Sequence, residues 1–333
     1  MIQKDPETPA TERPRTVWVL TDGKAGDEAQ CIGVAEALEA PFECRRVAPR
    51  APFVWLMPWG PIDPAESEDR PESPLKPPYP DLAIASGRRA VPYLRRLKRL
   101  SGGKTFTVFL KDPLTGPGTA DLIWVPEHDR LRGANVLVAV TGPHRFSAAA
   151  FAAARATVHP QIDALRSPRL AVLVGGNSRH HRFTPDDIAR FAVGLERLAA
   201  DGAALMITTS RRTPATLLDR LRDLARTGGH YLWTGDGDNP LVAMLAKADA
   251  VVATADSTNM IGEAAATGKP VHVFRPNGGH RKIDRFLGNL DRLGIIHPFP
   301  GPLKTTTYEP LNSTPLIAEA ILSAFANARR RSG

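Results

Sequence analysis

Apolar residues in this chain fall into short runs of about five, each ending in glycine or a polar cluster, and segments of helical period separate them. The first run, "TVWVLTDG", leads into "DEAQCIGVAEALEA", where Cys31, Val34, Ala35 and Leu38 recur at helical spacing. A strand, a loop and a helix are predicted there. Further strands are predicted at 44–47, 81–85, 105–110, 121–125 and 136–140. From Arg169 the alternation begins again: "RLAVLVGG", a helix over 185–200, "AALMITTS", a helix over 214–225, "HYLWT", a helix over 240–246, then "ADAVVATADSTNMIGEAAATGKPVHVF". Two helix starts carry capping chemistry. Thr184-Pro185-Asp186-Asp187 offers a cap, a first-position proline and acids in the first turn, and Thr213-Pro214 repeats the cap and the proline.

Strands alternating with helices of this length indicate parallel sheets covered on both faces, so the fold class is α/β, with two doubly wound Rossmann-like domains facing a cleft. The chain divides into a disordered lead-in at 1–15, an N-terminal domain at 16–165, a C-terminal domain at 166–312, and a helix at 313–333 that returns to the N-terminal domain. Within the first domain, the prolines of "APRAPFVWLMPWGPIDPAESEDRPESPLKPPYP" exclude an internal strand or a long helix and predict an insertion near 48–80. Ligands of such folds sit beyond the carboxyl ends of the strands, which directs attention to the loops.

Composition narrows the partners. A hydrophobic content of 42% with 23% charged residues excludes disorder throughout, and 333 residues suffice for two cores. The net charge of +8 favours an anionic partner. Nucleic acid is set aside, because the aromatics do not interleave with the basic residues as a stacking platform would. Cys31 and Cys44 form neither a disulfide framework nor a zinc spacing and are expected to be buried free thiols. The N-terminus lacks the apolar core of a secretory signal and no segment approaches the ~20 apolar residues of a spanning helix, so a cytoplasmic location is expected. The cluster "FVWLMPWG" at 53–60, with the basic "RRLKR" of a nearby helix, suits peripheral contact with the inner face of a membrane.

Chemistry concentrates in the loops after strands. "TDGKAGDEAQ" sets Lys24 between Gly23 and Gly26 ahead of a helix start, with Asp27 and Glu28 as carboxylates that either act as a base or simply favour the helix dipole. "SGRR" adds Gly87 and Arg88 on the same side. In the second domain, Gly175 and Gly176 permit close approach of backbone to a ligand, while Asn177, Ser178 and Arg179 can hold phosphate oxygens. Ser210 and Arg211, followed by Arg212, offer a further anion contact. His180 and His181 lack a third ligand at metal spacing, so no metal and no cofactor are called for.

Taken in order, "VLTDGKAGDEAQCIGVAEAL", "PDLAIASGRRAVPYLRRLKR", "VFLKDP", "VLVGGNSRHHRF", "TSRRTP" and "DSTNMIGEAAATGKPVHVF" resemble the bacterial relatives of the plant elongated-mitochondria fission factor. That family is similar, more distantly, to glycosyltransferases of the GT-B architecture, including the peptidoglycan transferase that glycosylates a lipid-linked acceptor. The resemblance implies a donor site for a nucleoside-diphosphate sugar in the C-terminal domain. Gly175, Gly176 and Ser178 match the glycine loop there, Ser257, Thr258 and Asn259 match the helix start near the diphosphate, and Glu263 matches the glutamate that holds the ribose hydroxyls. Gly23, Gly26, Gly87 and Arg88 fall on the acceptor side, where a glycolipid is the implied acceptor. The peptidoglycan enzyme has a histidine in that loop; here the comparable place holds Lys24, Asp27 and Glu28, and Asp27 is the candidate base, with Lys24 beside it. The implied function is metal-independent sugar transfer. The alternatives are nucleotide-sugar epimerisation and a non-catalytic adaptor of the kind the plant relative is understood to be.

Overall fold

The computed structural model describes residues 13–332, which form two compact units. The lead-in expected at 1–15 lies outside the described residues as far as position 12.

The first unit is built on β1 (Val17–Thr21), α1 (Ala25–Ala37), β2 (Phe42–Arg46), the short α2 (Phe53–Leu56), β3 (Leu82–Ser86), α3 (Ala90–Leu100), β4 (Phe106–Leu110), β5 (Leu122–Pro126) and β6 (Val136–Ala139). Its six strands are all parallel, in the order β2-β1-β3-β4-β5-β6. Alternation along β1 explains the uninterrupted apolar run. Val17 and Val19 pack with Cys31, Val34 and Leu38 of the α1 layer, whereas Trp18 and Leu20 pack with Val91, Leu94 and Leu97 of α3. The proline-rich insertion has no long element but is pinned. Buried Asp63 accepts from Arg50 Nε at 2.8 Å and from the Ala65 N–H at 2.9 Å, and the Tyr93 hydroxyl of α3 bonds Glu66. Met57 and Leu75 enter the core, which leaves Trp55 and Trp59 outside at 74% and 69% exposure.

The second unit contains α4 (Ala148–Ala156), α5 (Pro160–Asp163), β7 (Arg169–Val174), β8 (His181–Arg182), α6 (Pro185–Ala200), β9 (Ala204–Thr209), α7 (Ala215–Gly228), β10 (Tyr231–Trp233), α8 (Leu241–Lys247), β11 (Ala250–Thr254), α9 (Thr258–Ala265), β12 (Val271–Phe274), β13 (Asn277–Gly278), α10 (Arg281–Arg292) and β14 (Ile296–Phe299). Its main sheet is parallel in the order β10-β9-β7-β11-β12-β14, and β8 pairs antiparallel with β13. At the α6 start the predicted Thr184 cap is half of a capping box, with Thr184 and Asp187 each satisfying the other's backbone N–H.

Three expectations need correcting. The chain passes from the first unit to the second at 140–146 rather than near 165, because Phe146 and Phe151 stack in the second unit's core and Lys247 of α8 binds the Asp163 carboxylate. Cys44 is exposed, since β2 is the edge strand; only Cys31 is buried. Thr213 does not cap α7, because its hydroxyl donates to the Gly175 carbonyl instead. The C-terminal helix α11 (Thr314–Ser332) belongs to the first unit, where Ile317, Ile321 and Phe325 lie in the core beside α1.

Candidate functional site

In the second unit the connections leave β7 in one direction toward β9 and reach β11 on the other side, so the carboxyl ends of β7 and β11 form its switch point. Asp256, two residues beyond β11, fills that point. Its side chain is fully buried, and it accepts from the Gly176 N–H at 3.0 Å, the Thr254 hydroxyl at 2.7 Å and Arg212 Nη2 at 2.9 Å. The Gly175 N–H reaches the Thr254 hydroxyl at 2.8 Å, which ties the two strand ends together. Arg212 also donates to the Asn177 carbonyl and keeps 45% of its side chain exposed, so part of its guanidinium faces outward.

This network changes the meaning of the glycine pair. A Cβ on Gly175 would stand 2.2 Å from both Asp256 oxygens, and one on Gly176 would stand 2.0 Å from the Arg212 carbonyl. At both positions other protein atoms occupy the space that a side chain would need. Neighbouring side chains are similarly engaged: Asn177 Oδ1 accepts from the Phe183 N–H, and Ser178 Oγ accepts from the His180 and His181 N–H groups. Ser210 Oγ lies 3.3 Å from the Thr213 hydroxyl and accepts from the Arg212 N–H. Arg179 and Arg211 are exposed.

The α9 start lies just beyond Asp256. Ser257 caps it through the Met260 N–H, and Thr258 and Asn259 begin the helix. Glu263 follows little more than a turn later. It is partly exposed, has no hydrogen bond or ion pair among the described residues, and burial pushes its carboxyl up to about 7 from the ordinary 4.5. A carboxylate so short of partners can accept hydroxyl donors from a ligand. The helix ends at Ala265 with Ala266 as its cap, short of the Gly268 stop that the sequence suggests, and Gly268 takes a φ of +70° in the turn that follows.

The first unit's switch point lies between β1 and β3. Asp27 Oδ1 is held by Lys111 Nζ at 2.6 Å, and Lys24 Nζ binds Asp22 Oδ2 at 2.6 Å. Glu28 is clamped by Arg46 at 2.7 and 3.0 Å and takes the Thr21 hydroxyl. The Arg46 hydrogen bonds hold its carboxyl below the usual range, which makes it a poor base. Gly23 and Gly26 border this cluster in sequence, Gly87 lies against Asp27 and Asp22, and Arg88 points to solvent. Among the described residues no group of three or more His, Cys, Asp or Glu side chains is placed to hold a metal ion.

The structure thus gathers Gly175, Gly176 and Ser210 around Asp256 and Arg212; of the last two, the sequence pointed to Arg212 as an anion contact but not to Asp256. The signal for Asp256 was positional: it follows the strand next to β7, opposite the glycine pair.

Two doubly wound parallel sheets with polar switch-point loops place the chain among proteins of GT-B-like fold. The model of the mitochondrial fission ELM1 family matches residues 25–325, and the chain belongs to that family. It is 28% identical over 274 residues to the mitochondrial fission protein ELM1 of Arabidopsis thaliana, a match covering 74% of this chain and 64% of the plant protein. It is 32% identical over 163 residues to the uncharacterized protein RP120 of Rickettsia prowazekii, covering 46% of each. The chain therefore spans less than two thirds of either relative. The UDP-GlcNAc 2-epimerase of Methanocaldococcus jannaschii has a similar fold, with a TM-score of 0.54 at 10% identity over 95% of this chain and 99% of that one. No described helix is long and apolar enough to cross a membrane.

Proposed function

We propose that the second unit binds a nucleoside-diphosphate sugar and that the protein transfers its sugar to an acceptor hydroxyl, on a cell-envelope glycolipid at the inner face of the membrane. The observation that carries this reading is Glu263, a half-buried carboxylate without a partner among the described residues, close behind a helix start and the Arg212–Asp256 pair. Ribose hydroxyls would donate to Glu263. The diphosphate would lie against the α9 start and the outward part of Arg212, with Ser257, Thr258 and Asn259 nearest it and Arg179 and Arg211 as further cations. A structure of similar fold, with a TM-score of 0.51, is that of the M. jannaschii epimerase in complex with UDP-GlcNAc and UDP, which supports the class of donor.

In the transfer, the acceptor oxygen bonds to the anomeric carbon as the bond from that carbon to the diphosphate oxygen breaks. The acceptor's proton passes to a general base, the role proposed for Asp27. Negative charge then grows on the leaving diphosphate, where a helix start and an arginine are able to compensate it.

A second reading has its own observation. Asp256 already accepts the Gly176 N–H and Arg212, two donors that a bound anion would use, so the chain is suited to an adaptor role in which no nucleotide is held. Family membership with the plant fission protein favours the same reading. A thermal-shift panel of UDP, ADP, GDP and their sugar conjugates separates the two. Stabilisation by a sugar nucleotide that disappears in Glu263→Ala supports the donor site, and transfer to a lipid extract then identifies the reaction. No stabilisation by any nucleotide leaves the adaptor reading.

A further inference from the structure

Asp22 is the least expected residue of the first unit's switch point. Its side chain is 1% exposed, and its Oδ1 is buried with no hydrogen-bond partner among the described residues. A buried carboxylate oxygen left unmatched costs free energy, so it calls for a donor from elsewhere. Its direction is given by Gly87. A Cβ there would lie 3.7 Å from Asp22 Oδ1 and 3.4 Å from Asp27 Oδ2, so two carboxylate oxygens converge on the bare face of one glycine at the end of β3. Gly87 has a φ of +87°, which a residue with a side chain rarely adopts, and no side chain of its own occupies that face.

The partner oxygens of both carboxylates are already held. Lys24 takes Asp22 Oδ2 and Lys111 takes Asp27 Oδ1. Lys111 does so from a left-handed backbone conformation, φ +80°, of the strained kind that collects at functional sites. Each acid therefore keeps one oxygen for a ligand, at a fixed position.

Charge decides what kind of ligand. Asp22, Asp27 and Glu28 are met by Lys24, Lys111, Arg89 and Arg46. The excess of cations opposes a metal ion or an ammonium group. A neutral donor suffers no such repulsion, and two acceptor oxygens flanking one bare surface match two hydroxyls of one molecule.

We propose that the bare face of Gly87, flanked by Asp22 Oδ1 and Asp27 Oδ2, is a binding site for a pair of hydroxyls on a neutral carbohydrate. It rests on the transferase reading only for the idea that this carbohydrate is the acceptor.

Saturation-transfer NMR of the full chain with the methyl glycosides of glucose, galactose, mannose and N-acetylglucosamine tests it. At least one glycoside should receive transfer from the wild type, with at least a five-fold loss in both Asp22→Asn and Asp27→Asn. These exchange a carboxylate oxygen for an amide donor at nearly constant shape. The nucleotide thermal shift, read on the same samples, should survive both changes. Absence of transfer to all four glycosides overturns the site, as does undiminished transfer to the variants. A lost nucleotide shift in the wild type with glycoside transfer intact would overturn the donor reading alone. If one variant fails to fold, the other still decides.

Discussion

The Asp256 carboxylate occupies the space that a side chain on Gly175 would need, with both oxygens 2.2 Å from the missing Cβ. Gly175→Ala should therefore lower stability by about 2 kcal/mol or more, because buried Asp256 cannot retreat without leaving the Gly176 N–H and Arg212. Urea unfolding reads the cost. The double variant Gly175→Ala/Asp256→Ser should recover part of it, and strict additivity of the two single changes would show that the contact does not matter.

Glu263 sets a pH dependence. Its folded-state value near 7 lies above the ordinary 4.5 that the unfolded chain keeps, because burial disfavours the charge. Below pH 4.5 both states are protonated and the group costs nothing. Between 4.5 and 7 only the unfolded chain releases the proton, so stability falls as pH rises and levels off above 7. Glu263→Gln should remove that slope and raise stability at pH 8 by about 2 kcal/mol. If the carboxylate receives ribose hydroxyls, nucleotide binding should tighten as pH rises through 7. Urea unfolding at pH 6 and 8 reads the first sign and isothermal titration at the same two pH values the second.

Thr213 offers a test of a local misreading. Its hydroxyl donates to the Gly175 carbonyl and accepts from the Ser210 N–H at 3.0 Å. Thr213→Val should cost about 1–3 kcal/mol, and Thr213→Ser should restore most of it. Were the residue only a helix cap, Thr213→Asp would be as stable as the wild type.

Much of the fold was legible because it depends on local chemistry. The runs at β1, β3, β7 and β11 are apolar but for one end residue each, since both sheet faces are covered, and Thr184 with Asp187 announces its helix by satisfying its own N–H groups. Thr213-Pro214 has the same letters, but a carbonyl 38 residues away competes for the hydroxyl. The glycine pair was legible as a place of close approach. That Asp256, 80 residues on, is what approaches could not be read locally. Asp22 was hidden in the same way: its role is defined by Gly87 on the next strand.

Trp55 and Trp59 carry the membrane part of the proposal. Both are exposed while Met57 between them is buried, so the turn is anchored on one side and apolar on the other. Intact protein should co-sediment with anionic vesicles at low salt, and Trp55→Ser/Trp59→Ser should abolish this while changing stability by no more than about 0.5 kcal/mol. Failure of the wild type to sediment would remove peripheral attachment from the reading.

The two cysteines report on only one half of the molecule. Cys44 lies open on the edge strand, whereas Cys31 is sealed on the buried face of α1, its thiol pushed well above the usual range by burial. An alkylating reagent should consume the first at once and the second only when the first unit opens. The second unit contains no cysteine. The unmodified protein thus carries its own clock, in which the slow thiol times excursions of one sheet and is silent about the other.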